Sequence, residues 1–394
     1  MNEELFKKLN IPAQQPIGID VPDAFERLPE LAYNLWWCWN PRAMRLFSFL
    51  GPERWTRYRN PIEVLMEMDT PHWYPLLNNE EFLALYSQVL QDFDEYMENS
   101  GNGDDFDYSG PVAYFSTEYG LHDCLPIYSG GLGVLSGDHM KAASDRGLPL
   151  VGVGLLYRHG YFEQCIDADG TQHHVLPRID FSRMPVQPVL NKQGRPLVVK
   201  CPLRNDVVKL RVWKVQVGKI PVLLLDSDFA GNPPELQPIT GQLYVRQREM
   251  RLCQEILLGV GGAITLEKLD IDPAVWHLNE GHSVFLATER LRKRGKNGGD
   301  FKQAIEDIAK NTLFTTHTPV TAGHERYSNE LVQEYFKNFC DEMDISCDEF
   351  INLGRTESDS EDVFNLTAFA LRVSCRTNGV SKLHEKVTSE MWGH

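Results

Sequence analysis

Four short apolar runs constrain the fold more than any other feature of this chain. VAYFS (112–116), LVGVGLL (150–156), VWHLN (275–279) and LFTTH (313–317) each have the length of a strand, and each lies near a helix-patterned or glycine-bearing segment. Such alternation predicts a largely parallel α/β sheet. The most distinctive intervening stretch is 127–148, IYSGGLGVLSGDHMKAASDRGL. Leu132, Leu135, His139 and Ala142 recur there at helical spacing, with Asp138, Lys141 and Asp145 on the other side. Gly130, Gly131 and Gly133 lack a Cβ, so the backbone there can take positive φ and approach a ligand closely. A glycine loop feeding a helix also aims unpaired N–H groups and the positive dipole end outward, which suits phosphate. The same residues serve equally well as a tight strand-to-helix turn, and the motif is neither a Walker A loop nor G-x-G-x-x-G.

The first hundred residues read differently. Leu28, Leu31, Leu35 and Trp39 form one helical stripe ended by Asn40-Pro41, and 80–98 predicts a second helix with Phe82, Leu85, Val89, Leu90 and Phe93 on its face. Trp36, Trp37, Trp39, Trp55 and Trp73 read as core rather than as sugar-stacking platforms. The polar, Gly-rich stretch 99–109 is the expected linker. The expected organisation is a helical Trp-rich domain over 1–105 and an α/β unit over 106–394, with an antiparallel insertion near 175–226. Within that insertion, 207–226 predicts two strands around Gly218-Lys219 at the sheet periphery. Residues 244–258 predict a long helix, 348–361 an acidic surface loop, and 364–373 a buried helix.

At 394 residues and a net charge of −16, the chain has room for a large core and no basic block for nucleic acid. The N-terminus lacks an apolar signal region, and the longest apolar stretch, 256–266, is too short to span a bilayer. Eight scattered cysteines without C-x-x-C predict reduced structural thiols. These features point to a cytoplasmic protein that takes a neutral or weakly charged ligand.

In open α/β sheets, ligands gather at the carboxyl ends of parallel strands. Glu118 follows the first run, Asn279-Glu280-Gly281-His282 the third, and His317-Thr318 the fourth. With the Gly130–Gly133 loop, these clusters converge on one edge of one sheet. Each also has a plain structural reading: Glu118 as a loop acid, Asn279 and Glu280 as a helix start, His317 as a turn residue. His277 and His282 flank Glu280, but the H-E-x-x-H zinc pattern is absent, so no metal is expected. Glu118 and Glu280 remain open as the carboxylate pair of a glycosidase.

The pieces LAYNLWWCWNP, YFSTEYGL, YSGGLGVLSGDHMKAASDRGLPLVGVGLLYRHGYFEQ, HLNEGHSVF, FTTHTPVTAGHE and LRVSCRTNGVSKLHEKV occur in that order over 28–392. Together they resemble the α-glucan (glycogen, starch, maltodextrin) phosphorylase family, in its shorter bacterial and archaeal branch. The resemblance implies the first Rossmann-like lobe of a GT-B fold. It also implies phosphorolysis of α-1,4-glucan ends to glucose 1-phosphate with retention, with pyridoxal phosphate as cofactor. On that resemblance Gly130, Gly131, Leu132 and Gly133 would meet the substrate phosphate and glucosyl unit, and His317 the glucosyl unit. Glu118, Asn279, Glu280, His282 and Thr318 would line the same cavity. The family's cofactor lysine lies in a second-lobe piece reading roughly E-A-S-G-T-S-N-M-K, which has no counterpart here. The expectation is therefore a chain inactive alone, needing a second lobe or an oligomeric partner. Two other readings stay open: a nucleotide-sugar glucan synthase, disfavoured by Tyr128-Ser129 where that family has a lysine, and a non-catalytic glucan-binding module.

Overall fold

Asparagine and proline punctuate the front of the chain. The computed structural model describes residues 2–14, 18–99, 109–295, 300–320, 323–357 and 359–393. Asn40-Pro41 and Asn60-Pro61 each begin a helix. The asparagine side chain accepts the N–H of Ala43 or Ile62, and proline takes the first helical position, where no N–H is needed. Helices Pro41–Leu50, Pro52–Tyr58, Pro61–Met66, Thr70–Leu76 and Glu80–Glu98 follow in turn. The 28–39 stretch is not one helix. Leu28–Tyr33 stops at Asn34, which caps a tighter turn, Leu35–Trp39. Asn34 is also a docking point: it accepts the Gly218 N–H (2.8 Å) and donates to the Gly218 carbonyl (3.0 Å) at the sheet edge. Trp36, Trp37, Trp55 and Trp73 are buried, with Trp37 edge-on to Trp55 at 5.7 Å, so these indoles are core. Apart from its ends, the expected linker lies outside the described residues.

The four apolar runs become Val112–Phe115, Leu150–Leu155, Val275–Asn279 and Thr312–Thr316, all parallel members of a nine-stranded sheet. Ile220–Asp226 and Arg376–Gly379 complete the parallel part. Numbered along the chain, its six strands lie in the order 3-2-1-4-5-6, the doubly wound arrangement. Beyond Ile220–Asp226 the sheet turns antiparallel through Asp206–Val217, which pairs with Val198–Leu203 and Gln187–Pro188.

The expectation that 207–226 sits at the periphery does not hold: Asp206–Val217 lies outside the parallel part but is flanked on both sides. Ile220–Asp226 is buried at every residue and pairs parallel with Leu150–Leu155. Its unbroken apolar run is the mark of a strand covered on both faces. The turn between the two strands places Gly218 at φ +57°, where a Cβ would meet Ser144 Oγ at 2.2 Å.

Two other stretches depart from expectation. Residues 244–258 hold a helix only from Arg248; it passes through a π turn, Leu257–Gly261, into Gly262–Lys268. Gly262 lies against the sheet, where a Cβ would come within 2.5 Å of the Phe115 ring. Within 348–361, Ser346 and Glu349 close a reciprocal capping box that starts the helix Cys347–Ile351 and buries Phe350. One continuous buried cluster runs from the front helices through the sheet.

Candidate functional site

The chain leaves the strand at 112–115 toward one side of the sheet and reaches its parallel neighbour at 275–279 from the other, which opens a crevice at their carboxyl ends. Asn279 sits in that crevice, fully buried. Its amide nitrogen donates to Ser116 Oγ (3.1 Å) and Ser136 Oγ (2.9 Å), and its oxygen meets His317 Nε2 at 2.6 Å. Ser116 donates to the Glu118 carbonyl and Ser136 to the Leu132 carbonyl. One amide thus joins the ends of three strands and the first turn of the glycine helix.

That helix is Gly131–Arg146, with Gly130 as its cap. The expected positive φ is not used: Gly130 lies at φ −146°, and neither Gly131 nor Gly133 has positive φ. The reason for glycine is steric. A Cβ on Gly133 would sit 2.7 Å from Glu118 Oε2, and one on Gly137 would sit 2.0 Å from the Gly120 carbonyl. Gly130 and Gly131 are exposed, with nothing within 4 Å of a built Cβ, so they border open space. Val134 makes the first bond back into the helix, to the Gly130 carbonyl (3.1 Å). The N–H groups of Gly131, Leu132 and Gly133 precede that bond and form the free helix end.

Glu118, only 2% exposed, holds this loop in place. Its Oε2 accepts the N–H groups of Ser129 (2.5 Å) and Gly130 (3.3 Å), and its Oε1 accepts the Tyr244 hydroxyl (2.5 Å). Glu280 does the same for the opposite rim. Its Oε2 accepts the N–H of His317 (2.8 Å), the N–H of Thr318 (3.1 Å) and the Thr318 hydroxyl (3.0 Å), while Oε1 accepts the Gly281 N–H (3.2 Å). Burial raises the Glu280 carboxyl above its usual range, and these donors partly oppose it. Both carboxylates are engaged as loop anchors, which argues against their acting as a paired-acid hydrolase.

The imidazoles here are neutral. Burial lowers His317 to about 4, with His384 adding to the effect. His282 falls to about 3 through burial, then through the charge of Arg251 and the nearby His317. His277, on the strand itself, falls to about 3 by burial and contacts Thr315 Oγ1 at 2.7 Å.

Sequence reasoning missed the residues behind this front. Arg251 reaches His282 Nε2 (3.3 Å) and Glu325 Oε1 (2.7 Å) and lies 3.9 Å from Glu255. The Tyr244 ring stands 6.3 Å from that of His282, and Tyr327 donates to Glu255 at 2.8 Å. Glu255, His282 and Glu325 place ligand atoms within 4.8 Å of one another, which is spacing a metal could use. The guanidinium among them already supplies the positive charge, and the set is an ion-pair cluster. The Tyr244–Glu118 bond ties this cluster to the loop that precedes the glycine helix. No motif marks these residues: Arg251 and Glu255 lie inside the helix Arg248–Ile256, Tyr244 and Glu325 lie in connecting segments, and Tyr327 lies on a short strand outside the main sheet. His324, seven residues beyond His317, contacts Thr367 Oγ1 (2.9 Å) and Met391 and not the Asn279 network.

Residues 21–125 match a family model described as a protein of unknown function (DUF3417). The chain is 42% identical over 377 residues to a maltodextrin phosphorylase of Thermococcus litoralis, covering 95% of this chain and 45% of that protein. It is 39% identical to a glycogen phosphorylase of Aquifex aeolicus, over 93% of this chain and 53% of that one. It is 37% identical to a glycogen phosphorylase of Mycobacterium tuberculosis, over 94% and 45%. The chain spans about half the length of these curated relatives. Along nearly all of its own length it belongs with the glycogen and maltodextrin phosphorylases, as their N-terminal part and the first lobe of their GT-B fold.

Proposed function

We propose that this chain forms the glucan- and phosphate-facing lobe of an α-glucan phosphorylase. In that reaction the bond from C1 of a terminal glucosyl unit to O4 of the next breaks. A phosphate oxygen bonds C1 with retained configuration, and the leaving O4 takes a proton, giving glucose 1-phosphate and a glucan one unit shorter. The observation that carries the reading is the joining of an open helix N-terminus and a neutral imidazole through the one buried amide of Asn279. The N–H groups of Gly131 to Gly133 suit an anion, and the uncharged His317 suits a sugar hydroxyl. Glu118 and Glu280 keep both rims fixed, so the donors need no rearrangement as charge develops.

Pyridoxal phosphate belongs to the family's chemistry, but the residues gathered here do not fit its covalent attachment. Among the described residues no lysine amine contacts the switch-point cluster: Lys214 Nζ donates to the Ile11 carbonyl and Lys219 Nζ to the Asn99 carbonyl. Attachment falls to the second half of the relatives, supplied as a partner polypeptide or as further chain. Tyr128, which stands where a nucleotide-sugar synthase would have a lysine, donates to Asp123 at 3.0 Å. No helix among the described residues is long and apolar enough to cross a membrane.

The test is to mix this chain with the second half of a relative, pyridoxal phosphate, maltoheptaose and phosphate. The expected result is glucose 1-phosphate release that requires all components, together with pyridoxal absorbance on the assembled protein. Glucan binding without turnover under those conditions would replace this reading with a non-catalytic module, and turnover of a nucleotide sugar instead of phosphate would make it a synthase.

A further inference from the structure

The hydrogen bonds around Asn279 favour one orientation of its amide. A serine hydroxyl carries a single proton. That of Ser136 goes to the Leu132 carbonyl (2.9 Å), and that of Ser116 is shared between the Glu118 carbonyl (2.8 Å) and Ser136 Oγ (2.8 Å). With each hydroxyl donating to a backbone carbonyl, both present lone pairs to Asn279. The side chain turns its NH2 toward the two serines (3.1 and 2.9 Å) and its oxygen toward His317. An oxygen 2.6 Å from Nε2 accepts a proton there. The imidazole therefore carries its hydrogen on Nε2 and offers Nδ1 as a lone pair.

We infer that Asn279 is a positioning residue that fixes His317 as the Nε2–H tautomer, so that Nδ1 can only accept a hydrogen bond and selects a hydroxyl over a bare phosphate oxygen. The two serines set this choice and tie it to the glycine helix: Ser136 holds the Leu132 carbonyl in the first turn of that helix. One amide thereby sorts the two ends of a ligand, sending a donor group to the imidazole and an anion to the helix. The choice of hydroxyl rests on the glucan reading above; the tautomer does not.

The groups facing His317 are Glu280, whose carboxyl takes its backbone N–H, and the imidazoles of His277, His282 and His384. None of them bonds its ring in place of Asn279. The test is a 15N spectrum of the full chain with labelled histidine, near pH 7 and without ligand. The ring signals are assigned by their loss in His317→Gln, since the chain has 12 histidines. The expected result is a protonated Nε2 and an unprotonated Nδ1. The reverse tautomer, or an even mixture, would overturn the proposal without touching the phosphorylase reading. In Asn279→Asp the carboxylate still accepts from Nε2 but adds charge, so the His317 pKa should rise by about one unit or more. An unmoved pKa would also overturn it. In the double variant Ser116→Ala, Ser136→Ala, the amide loses its constraint and a tautomer mixture is expected; a retained pure Nε2–H form would show that the serines do not set the choice. A glucan titration that leaves Nδ1 unshifted in a protein that does bind glucan would reject the hydroxyl contact alone.

Discussion

Glu280 adopts φ +70° and ψ 174°, a region almost reserved for glycine that costs a side-chain-bearing residue about 1–3 kcal/mol. The surroundings enforce it. The Glu280 N–H bonds the Thr315 carbonyl (2.8 Å), and the carboxyl gathers four donors from the His317 loop and Gly281. Glu280→Gln replaces one accepting oxygen with a donor facing other donors, so a loss of about 1–3 kcal/mol is expected in urea unfolding. An unchanged midpoint would mean that the carboxyl does not hold the loop. His282 gives a signed pH effect. Its pKa is about 3 when folded, against the ordinary 6.5, so its neutral form adds stability above pH 6.5 that is lost as pH falls toward 3. His282→Gln should flatten the decline of unfolding free energy between pH 6 and 4 by about 1.4 kcal/mol per pH unit. Glu255 and Glu280 carry raised pKa values and act with the opposite sign, but both remain in the variant, so the difference in slope isolates the histidine. Parallel slopes would count against a buried neutral ring. These front residues were legible because strand ends announce themselves in sequence. Arg251 and Glu255 were not, since a charged residue inside a helical pattern looks the same whether it faces water or a buried imidazole.

At the level of elements, the glycine helix separates two uses of one residue type. Gly137 faces a backbone carbonyl at 2.0 Å from a built Cβ, so Gly137→Ala forces the helix off the 118–120 loop. A destabilisation above about 3 kcal/mol is expected in thermal or urea unfolding. Gly131→Ala meets nothing and should leave stability within about 1 kcal/mol of the parent. Equal effects from the two would refute the steric division. The sequence showed where the helix lies but not this division, because the partner of Gly137, Gly120, arrives through tertiary packing. The helix Glu80–Glu98 was legible throughout, with an unbroken apolar stripe and Asn79 as its cap. The helix Cys347–Ile351 was masked by its acidic composition, although the Ser346–Glu349 spacing that starts it was in plain view. Ile220–Asp226 was misplaced for a different reason. An apolar run after a tight turn looks like the second arm of a hairpin, and only its pairing with Leu150–Leu155 shows that it also closes the parallel core.

Across the whole molecule, the doubly wound order puts the crevice where strands far apart in sequence become neighbours, as Val112 does with Val275. That order was foreshadowed by strand–helix alternation, but which strand neighbours which is decided by crossovers that no local pattern encodes. The same adjacency governs how the protein is made. A growing chain can complete the glycine helix and the strands at 112–115 and 150–155 early, yet Asn279 has no imidazole to hold and Glu280 no loop to anchor until residues 312–318 have emerged from the ribosome. Until then the two buried serines and the Glu118 loop wait as an unfinished half-socket, and closing it demands long-range pairing of the slow kind. A stall or a premature stop before residue 312 therefore yields a product with its polar centre open, a substrate for chaperones and proteases and not for glucan.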